Sequence, residues 1–338
     1  MKYIYWLLVF IPITLVARFG LHLNDGIVFW LSCAGIIPLA AVLGDATEQI
    51  SMYTGPKVGG FLNATMGNVP ELLISGFAVK AGLFSLVLAS LAGSILGNIL
   101  LVMGMSIFIG GLKFKFLPFN KNITQNNLTL LGFAVFSIIV PFFFKLASGQ
   151  PDGSKSMGQF SLALAIIMVA LYSLGLVFSL VTHRDIFLDE AGDDDEEEEA
   201  KWSLRKGVII MALAAVAVAV MSEILVSTVE GAAEQYGLGE AFIGIILIPI
   251  LGNVAEHASA VIMAYKGKIN ISIEVAIGSS MQIALFVTPL MVIWSAMVGP
   301  TMEYIYTPME LMGIIISVIL TGTVFMDQKV NWLEGAEL

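Results

Sequence analysis

The segments MGNVPELLIS, residues 66–75, and LGNVAEHASA, residues 251–260, each place an asparagine and a glutamate inside an otherwise apolar stretch. Ionisable residues are costly within a membrane, and those found there usually serve a function. Two questions follow for this chain. One is whether these stretches cross a membrane, and the other is why the same polar pattern occurs twice.

The composition indicates a membrane protein. Of the 338 residues, 58% are hydrophobic and 12% are charged, and the mean hydropathy is +0.91, whereas soluble domains carry about 25% charged residues. A helix needs about 17–25 apolar residues to cross the hydrocarbon core. Ten stretches reach this length, at 3–20, 27–50, 58–80, 83–110, 128–146, 160–182, 203–231, 239–265, 271–298 and 303–326. We therefore expect an all-α polytopic membrane protein.

The two polar segments belong to a longer internal repeat. Sliding the chain along itself until Gly67 lies on Gly252 superimposes the two GNV-x-E motifs, and this repeat register also aligns Gly82-Gly267, Gly93-Gly278 and Ser94-Ser279. Because an odd number of crossings separates the two copies, the second copy runs through the membrane in the opposite direction. This pattern predicts two inverted-topology repeats, an arrangement that places the substrate near the middle of the bilayer.

The repeat divides the chain into segments. We expect a first transmembrane helix at 1–24, a first inverted repeat at 25–184 with helices 2–6, a linker at 185–202, and a second inverted repeat at 203–338 with helices 7–10. Each repeat should hold five helices. The final segment NWLEGAEL is therefore expected to begin an eleventh helix whose remainder lies outside this sequence.

The charges predict the orientation. Twelve of the sixteen Lys and Arg residues fall on the same side as the N-terminus, and positive residues favour the cytoplasmic side. The N-terminus and the linker are therefore expected in the cytoplasm. The linker holds the acidic run DEAGDDDEEEE at 189–199, within a chain of net charge −10. We interpret this run as a solvated segment rather than a specific calcium-attracting site.

The repeated motif predicts a cation site. Asn68 and Glu71 are three residues apart, as are Asn253 and Glu256, so each pair shares one helix face. A glycine and a proline in or beside each motif are expected to unwind the helix and free backbone carbonyls, which a membrane tolerates only at a cavity or an ion. Carboxylates, carboxamides and carbonyls form an all-oxygen shell, and Ca²⁺ takes about 6–8 such ligands.

The paired glutamates suggest a mechanism. A purely structural role for Glu71 and Glu256, hydrogen-bonded across helices, is the alternative, but two symmetric intramembrane carboxylates favour a function. Two ionised glutamates with one divalent cation are neutral, and so are two protonated glutamates. The doubly ionised site is unfavourable because buried like charges repel. Our hypothesis is that such a site couples cation release to proton uptake.

Three further carboxylates lie near the ends of predicted spans. Glu48 and Glu230 end the second and seventh spans in roughly equivalent places. Each either lines the ion path or reaches the membrane interface. Glu274 begins the ninth span and is interpreted as interfacial.

Other polar residues lie beside the motifs. Asn98 and Gln282, on the fourth and ninth spans, either complete the ligand shell or join the neighbouring Gly and Ser residues in helix packing. His257 is interpreted as a hydrogen-bonding residue, with a proton relay as the alternative.

Other functions lack the residues they need. The sequence has no HExxH, GxSxG or GxxxxGK[ST] motif and no basic, aromatic-interleaved patch for nucleic acid. The absence of a thiolate near the motifs disfavours zinc and copper. We expect no enzymatic activity and no cofactor. The expected partners are the transported ions and the lipid bilayer, and the sequence leaves the oligomeric state open.

These motifs resemble a known family. GNVPEL at 67–72 and GNVAEHASA at 252–260, together with GSILGN, IGSSMQIALF and an acidic linker, are similar to the calcium/proton antiporters of the cation exchanger family. The likeness runs from GDATEQ at 44–49 to the C-terminus and includes VTHR at 181–184. It implies eleven helices with two inverted five-helix repeats. It also implies Glu71 and Glu256 as the central calcium and proton site, with Glu48 and Glu230 along the path.

The resemblance implies a secondary active transporter that exchanges cytoplasmic Ca²⁺ for H⁺ by alternating access. It favours a prokaryotic cell membrane, or a vacuolar-type membrane for a eukaryotic source. Sodium/calcium exchange on the same fold is the alternative and would need further sodium sites. A passive cation channel with the glutamates as a selectivity ring ranks last, because inverted repeats with broken helices favour alternating access.

Overall fold

The computed structural model describes residues 2–151, 153–182 and 200–338. The acidic run at 189–199, most of the linker expected at 185–202 and the last two residues of VTHR lie outside these ranges. Most of the described residues are helical, in agreement with the predicted all-α fold.

The first half of the chain begins with a 3-10 helix at Lys2–Val9, followed by α1 (Phe10–Leu15) and a π-helical turn at Val16–Gly20. The α-helices that follow are α2 (Asp25–Met66), α3 (Val69–Lys80), α4 (Phe84–Leu96), α5 (Met103–Lys113), α6 (Lys121–Ser148) and α7 (Lys155–Val177). A π turn at Gly97–Val102 joins α4 to α5, and another at Phe178–Thr182 extends α7.

The second half contains α8 (Leu204–Tyr236), α9 (Glu240–Phe242), α10 (Ile248–Tyr265), α11 (Ile269–Gln282), α12 (Thr288–Val298), α13 (Pro308–Val324) and α14 (Trp332–Glu337). π turns at Ile243–Leu247 and Ile283–Val287 join α9 to α10 and α11 to α12. The two-residue strands β1 (Leu117–Pro118) and β2 (Lys329–Val330) pair antiparallel, with Leu117 opposite Val330.

The helix lengths agree with the ten predicted spans. Within the described ranges, seven helices are long and apolar enough to cross a membrane, and they are Asp25–Gly55, Phe84–Lys113, Thr124–Ser148, Lys155–Thr182, Leu204–Tyr236, Glu240–Tyr265 and Ile269–Val298. Ile4–Gly20 and Pro308–Val324 are shorter apolar helices. The remaining span, predicted at 58–80, is helical but interrupted, because α2 ends at Met66 and α3 begins at Val69.

Equivalent positions of the two halves adopt the same local backbone. Gly82 and Gly267, which the repeat register aligns, both have left-handed φ angles, of 79° and 85°. Glycine adopts this conformation without a steric penalty because it has no Cβ. The π turns at Gly97–Val102 and Ile283–Val287 also coincide in this register. The repeat found in the sequence is therefore present in the backbone.

The two halves pack through equivalent helices. α2 packs along α8, α4 packs against the π turn that precedes α10, and α3 packs against α8 and α12. Glycines allow close approach at several contacts, as is common in membrane proteins. One example is α14, where Gly335 lies directly against the backbone of α5 at Phe108. The two GNV-x-E motifs lie on α10 and at the start of α3, within this packed region.

Candidate functional site

The first motif lies at a break between α2 and α3. Gly67 and Asn68 form the turn, and Pro70 lies in the first turn of α3, where its missing N–H is tolerated. Glu71 lies in the same turn, where the helix dipole favours a negative charge. Asn68 is fully buried, and Glu71 is 5% exposed. The unwinding predicted for the third span is therefore confirmed.

The second motif lies inside a continuous helix. α10 runs unbroken from Ile248 to Tyr265, so the unwinding expected at the second motif is wrong. The π turn Ile243–Leu247 comes just before Pro249 instead. Pro249 has no N–H to donate to the Ile245 carbonyl four residues earlier, and a π turn accommodates such a loss without ending the helix. Glu256 is therefore carried on a regular helix, where it is half-buried.

Each motif glutamate reaches the glycine of the other motif. A Cβ atom on Gly67 would lie 2.9 Å from Oε1 of Glu256, and one on Gly252 would lie closer still to Oε1 of Glu71. The two carboxylates thus lie where the two motifs cross. The structure brings together the pair of glutamates that the repeated sequence singles out.

Carboxamide hydrogen bonds join the two halves around this crossing. Nδ2 of Asn68 donates to Oε1 of Gln282. Nδ2 of Asn253, which is 1% exposed, donates to Oγ of Ser94 at 3.3 Å and to the Pro249 carbonyl at 3.0 Å. The bonds to Gln282 and Ser94 connect one repeat with the other. Because the NH₂ groups serve as donors here, the carbonyl oxygens are the atoms of the two asparagines suited to a cation.

A second series of hydrogen bonds involves His257. Nδ2 of Asn98 donates to Oγ of Ser279 at 3.0 Å, and Oδ1 of Asn98 lies 3.1 Å from Nε2 of His257. A carboxamide oxygen only accepts, so Nε2 of His257 carries the proton in this bond. The repeat register aligns His257 with Leu72 and Asn98 with Ile283. This series therefore joins the two halves, and the aligned residues Leu72 and Ile283 cannot form its counterpart. The hydrogen-bonding interpretation of His257 agrees with these bonds.

The glutamate oxygens are buried without matching donors. Within the described part of the chain, both carboxylate oxygens of Glu71 and Oε2 of Glu256 are buried and have no hydrogen-bond partner. An uncompensated buried carboxylate is costly. A proton on each carboxyl group, or a cation shared between them, removes that cost. The arrangement therefore suits a site that holds either protons or a cation.

A cation at this site would need ligands other than carboxylates. Across residues 2–151, 153–182 and 200–338, no group of three or more His, Cys, Asp or Glu side chains is placed to hold a metal ion. Two glutamates are too few for Ca²⁺, which takes about 6–8 oxygens. The asparagine oxygens and the carbonyls at the end of α2 are available to complete the shell, because the last carbonyls of a helix lack intrahelical partners.

A cavity of about 450 Å³ reaches the crossing. Glu256 and both motif glycines line it, and so do Asp45, Glu48, Glu274, Ser279 and Gln282. The predicted path residue Glu48 thus faces the cavity. Glu274, interpreted from sequence as interfacial, also lines it. Asp45 is a further lining carboxylate that the sequence motifs do not single out.

The structure places Glu230 away from this cavity, on an exposed face of α8. The repeat register aligns Glu230 with Asp45, not with Glu48. Applied strictly, the register would therefore have identified Asp45. Its carboxylate accepts a hydrogen bond from the hydroxyl group of Tyr5 in the first helix.

Known proteins are similar to this chain in sequence and in fold. Residues 26–181 and 206–338 match the family described as sodium/calcium exchanger protein. The chain is 44% identical over 329 residues to the Ca(2+)/H(+) antiporter ChaA of Bacillus subtilis (strain 168), which covers 97% of this chain and 93% of that protein.

Solved structures extend this comparison. The structure of native YfkE superimposes with a TM-score of 0.85 at 39% identity, covering 99% of this chain and 95% of that one. The H⁺/Ca²⁺ exchanger CAX superimposes with a TM-score of 0.77 at 16% identity, covering 99% and 85%. At that identity the likeness concerns the fold alone. The helical transporter fold predicted from the sequence is confirmed.

Proposed function

The chain belongs to the sodium/calcium exchanger protein family, and we propose that it is a secondary active transporter that exchanges cytoplasmic Ca²⁺ for H⁺. Similarity to a Bacillus subtilis protein described as a Ca²⁺/H⁺ antiporter supports these two ions as substrates. Ca²⁺ is cargo here, and no cofactor is part of the proposal.

The observation that carries the proposal is the pair of opposed, buried glutamates. Glu71 and Glu256 come from inverted repeats, reach each other's motifs, and have three buried oxygens without donors. One Ca²⁺ between two carboxylates is neutral, and two carboxylic acids are neutral as well. The doubly ionised site without a cation is disfavoured by like-charge repulsion. Ca²⁺ and protons therefore compete for the same two groups, which couples their movements in opposite directions.

Further residues have supporting roles in the proposal. Asn68 and Asn253 supply carbonyl oxygens to the ion, while Asn98 and Gln282 hold neighbouring groups in place through their bonds to Ser279 and Asn68. Glu48, with Asp45 and Glu274, draws cations into the cavity. Glu230 serves the path on the opposite side of the membrane.

Alternating access is supported by the position of the cavity that reaches the two motifs. Ile271 and Glu274 line it from the first turns of α11, which begins next to Lys268. The distribution of Lys and Arg assigns Lys268 to the cytoplasm. We therefore infer that the cavity opens to the cytoplasm and that the N-terminus lies on the same side. Movement of α11 against the first repeat then closes it.

The proposal is tested by calcium-45 uptake into proteoliposomes under an imposed pH gradient. Uptake should follow the gradient in the parent and fall to the level of protein-free vesicles in both Glu71→Gln and Glu256→Gln, because glutamine cannot exchange a proton for a cation. Glu337→Gln, at an exposed position in α14, is the matched control and should transport normally.

A parallel arm replaces the pH gradient by a sodium gradient, since the family description includes sodium. Uptake driven by sodium alone would contradict proton exchange. Calcium-45 that crosses the membrane in either direction without any imposed ion gradient would indicate a channel. Normal uptake in both glutamine variants would contradict the assignment of the site.

A further inference from the structure

Gly67 and Gly252 are required for space rather than for backbone conformation. Gly67 has a φ of −57°, and Gly252 lies within the regular helix α10. Neither is among the glycines with positive φ. Alanine would suit both backbones and is the better helix former. The reason for glycine must therefore be what lies in front of each Cα atom.

The atoms in front of these glycines belong to the opposing glutamates. The three heavy atoms nearest to a Cβ on Gly252 are all from Glu71, with Cδ at 3.1 Å and Cγ at 3.7 Å beyond the closer Oε1. Around a Cβ on Gly67, the atoms within 4 Å are Oε1 of Glu256 at 2.9 Å and the Asn63 carbonyl at 3.0 Å. A methyl group at either position would press on a carboxylate of the other repeat.

The two glutamates differ in their freedom to move. Glu256 is half-buried and lines the cavity, so a methyl group at position 67 can displace it toward open space. Glu71 is 5% exposed and is packed within the crossing. A methyl group at position 252 finds no such relief, so it displaces the Glu71 carboxylate within the packed crossing, where the proposed cation binds.

We propose that Gly252 is a specificity-determining residue that sets the width of the cation site by leaving room for the Glu71 carboxylate. Alanine at this position narrows the site, and a narrower site favours a divalent ion smaller than Ca²⁺, such as Mn²⁺. Ca²⁺ needs oxygen distances of about 2.3–2.6 Å. Gly67 has the weaker effect because Glu256 can retreat into the cavity. This inference rests on the proposed function for the location of the cation.

The test measures the ratio of Mn²⁺ to Ca²⁺ within one sample. Proteoliposomes with the parent, Gly252→Ala or Gly67→Ala take up calcium-45 and manganese-54 in competition under a pH gradient. The same proteins, purified in detergent, bind calcium-45 in competition with Mn²⁺. A ratio does not depend on how much protein is folded. Gly76→Ala is the matched control, since Gly76 lies on α3 and no atom lies within 4 Å of the position that its methyl group would take.

We expect the Mn²⁺/Ca²⁺ ratio to rise about tenfold in Gly252→Ala, as one methyl group in a fitted site commonly does. Gly67→Ala should shift the ratio by about twofold, and Gly76→Ala should leave it unchanged. If Gly252→Ala lost uptake and binding of both ions while the Mn²⁺/Ca²⁺ ratio stayed constant, the proposal would be overturned, because Gly252 would then serve packing alone. Equal shifts at positions 67 and 252 would overturn it as well.

A second variant covers the case in which Gly252→Ala does not fold. Glu71→Asp shortens the side chain by one methylene and removes the collision, so the double variant should recover folded protein. Failure of the double variant would place the collision elsewhere and overturn the proposal.

The binding arm separates this inference from the proposed exchange. A parent that binds Ca²⁺ but does not exchange it for protons would contradict the exchange, and the binding ratio would still decide the role of Gly252. A parent that binds no Ca²⁺ would contradict both.

Discussion

Equivalent faces of α4 and α11 differ in their packing. Leu86, Ala89 and Gly93 of α4 are buried, and a Cβ atom on Gly93 would collide with the backbone of Ile245 in the π turn before α10. The repeat register aligns these three positions with Ile271, Glu274 and Gly278 of α11. All three of these residues line the cavity, and nothing lies within 4 Å of a Cβ on Gly278.

A repeat in the sequence therefore does not impose equal packing on both halves. Both helices carry glycine at the equivalent helix contact, Gly93 in α4 and Gly278 in α11, so both have the small surface that close packing needs. The helix contact at Gly93 is closed, although Leu86 and Ala89 also line a second cavity of about 900 Å³, and the equivalent contact at Gly278 is open. If both helix contacts were open, the site would be exposed to both sides of the membrane at once. One open and one closed contact suit the proposed alternating access. In that mechanism, closing the helix contact at Gly278 buries Glu274. The equivalent residue in the other half is the small, apolar Ala89.

The largest contrast is expected in stability. Gly93→Ala should lower the free energy of unfolding by about 2 kcal/mol, because the methyl group meets backbone that cannot turn away. Gly278→Ala should raise it by up to about 1 kcal/mol, because alanine favours the helix and meets open space. Thermal unfolding in detergent, followed by intrinsic fluorescence, compares the two variants with the parent. Equal shifts in unfolding temperature would show that the helix contacts at Gly93 and Gly278 are packed alike in solution.

A smaller contrast is expected in transport. Gly278→Leu fills the surface that must close under the proposed mechanism, so pH-driven calcium-45 uptake should fall about tenfold, equivalent to about 1.4 kcal/mol on the limiting barrier. Ca²⁺ binding in detergent should persist. Gly175→Leu is the matched control, because Gly175 is an exposed glycine of α7 with open space around it. Normal uptake by Gly278→Leu would show that the helix contact at Gly278 stays open throughout the transport cycle.

Much of this molecule is predictable from its sequence. Apolar length predicts the spans, because a helix must satisfy its backbone hydrogen bonds inside the bilayer. The repeat register predicts the inverted halves and brings Glu71 and Glu256 together, since symmetric positions of such repeats meet near the midplane. The break at Gly67 is predicted because a glycine and a nearby proline weaken a helix, although Pro249 and Gly252 do not break α10.

Other features depend on tertiary packing that one sequence does not reveal. The conformation decides whether the helix contact at Gly93 or the one at Gly278 is open, so the sequence does not distinguish the two glycines. The continuity of α10 at Pro249 depends on a π turn that has no residue signature of its own. The contact between Gly252 and Glu71 is between residues far apart in the chain. Asp45, by contrast, is predictable from the sequence, because the strict repeat register aligns it with Glu230.

Asp45 and Glu230 extend the comparison of the two halves to α2 and α8. The repeat aligns them, yet Asp45 lines the cavity and Glu230 lies on an exposed face outside it. Asp45 also accepts a hydrogen bond from Tyr5. The first helix lies outside residues 26–181 and 206–338, which match the family, and the repeat gives it no counterpart. The hydroxyl group of Tyr5 is therefore a feature of one side alone.

The smallest effect is expected from Tyr5→Phe, which removes this donor while keeping the ring. A hydrogen bond to a charged group contributes about 1.5–3 kcal/mol when intact, and solvent in the cavity reduces this. The half-saturating Ca²⁺ concentration should therefore rise about threefold with the maximal rate unchanged, because a less well held Asp45 gathers cations less effectively. Tyr53→Phe is the matched control, since the Tyr53 hydroxyl donates to the Trp202 carbonyl away from the cavity lining. A lower unfolding temperature with unchanged Ca²⁺ dependence would mean that Tyr5 merely anchors the first helix, and the asymmetry between Asp45 and Glu230 would then rest on cavity exposure alone.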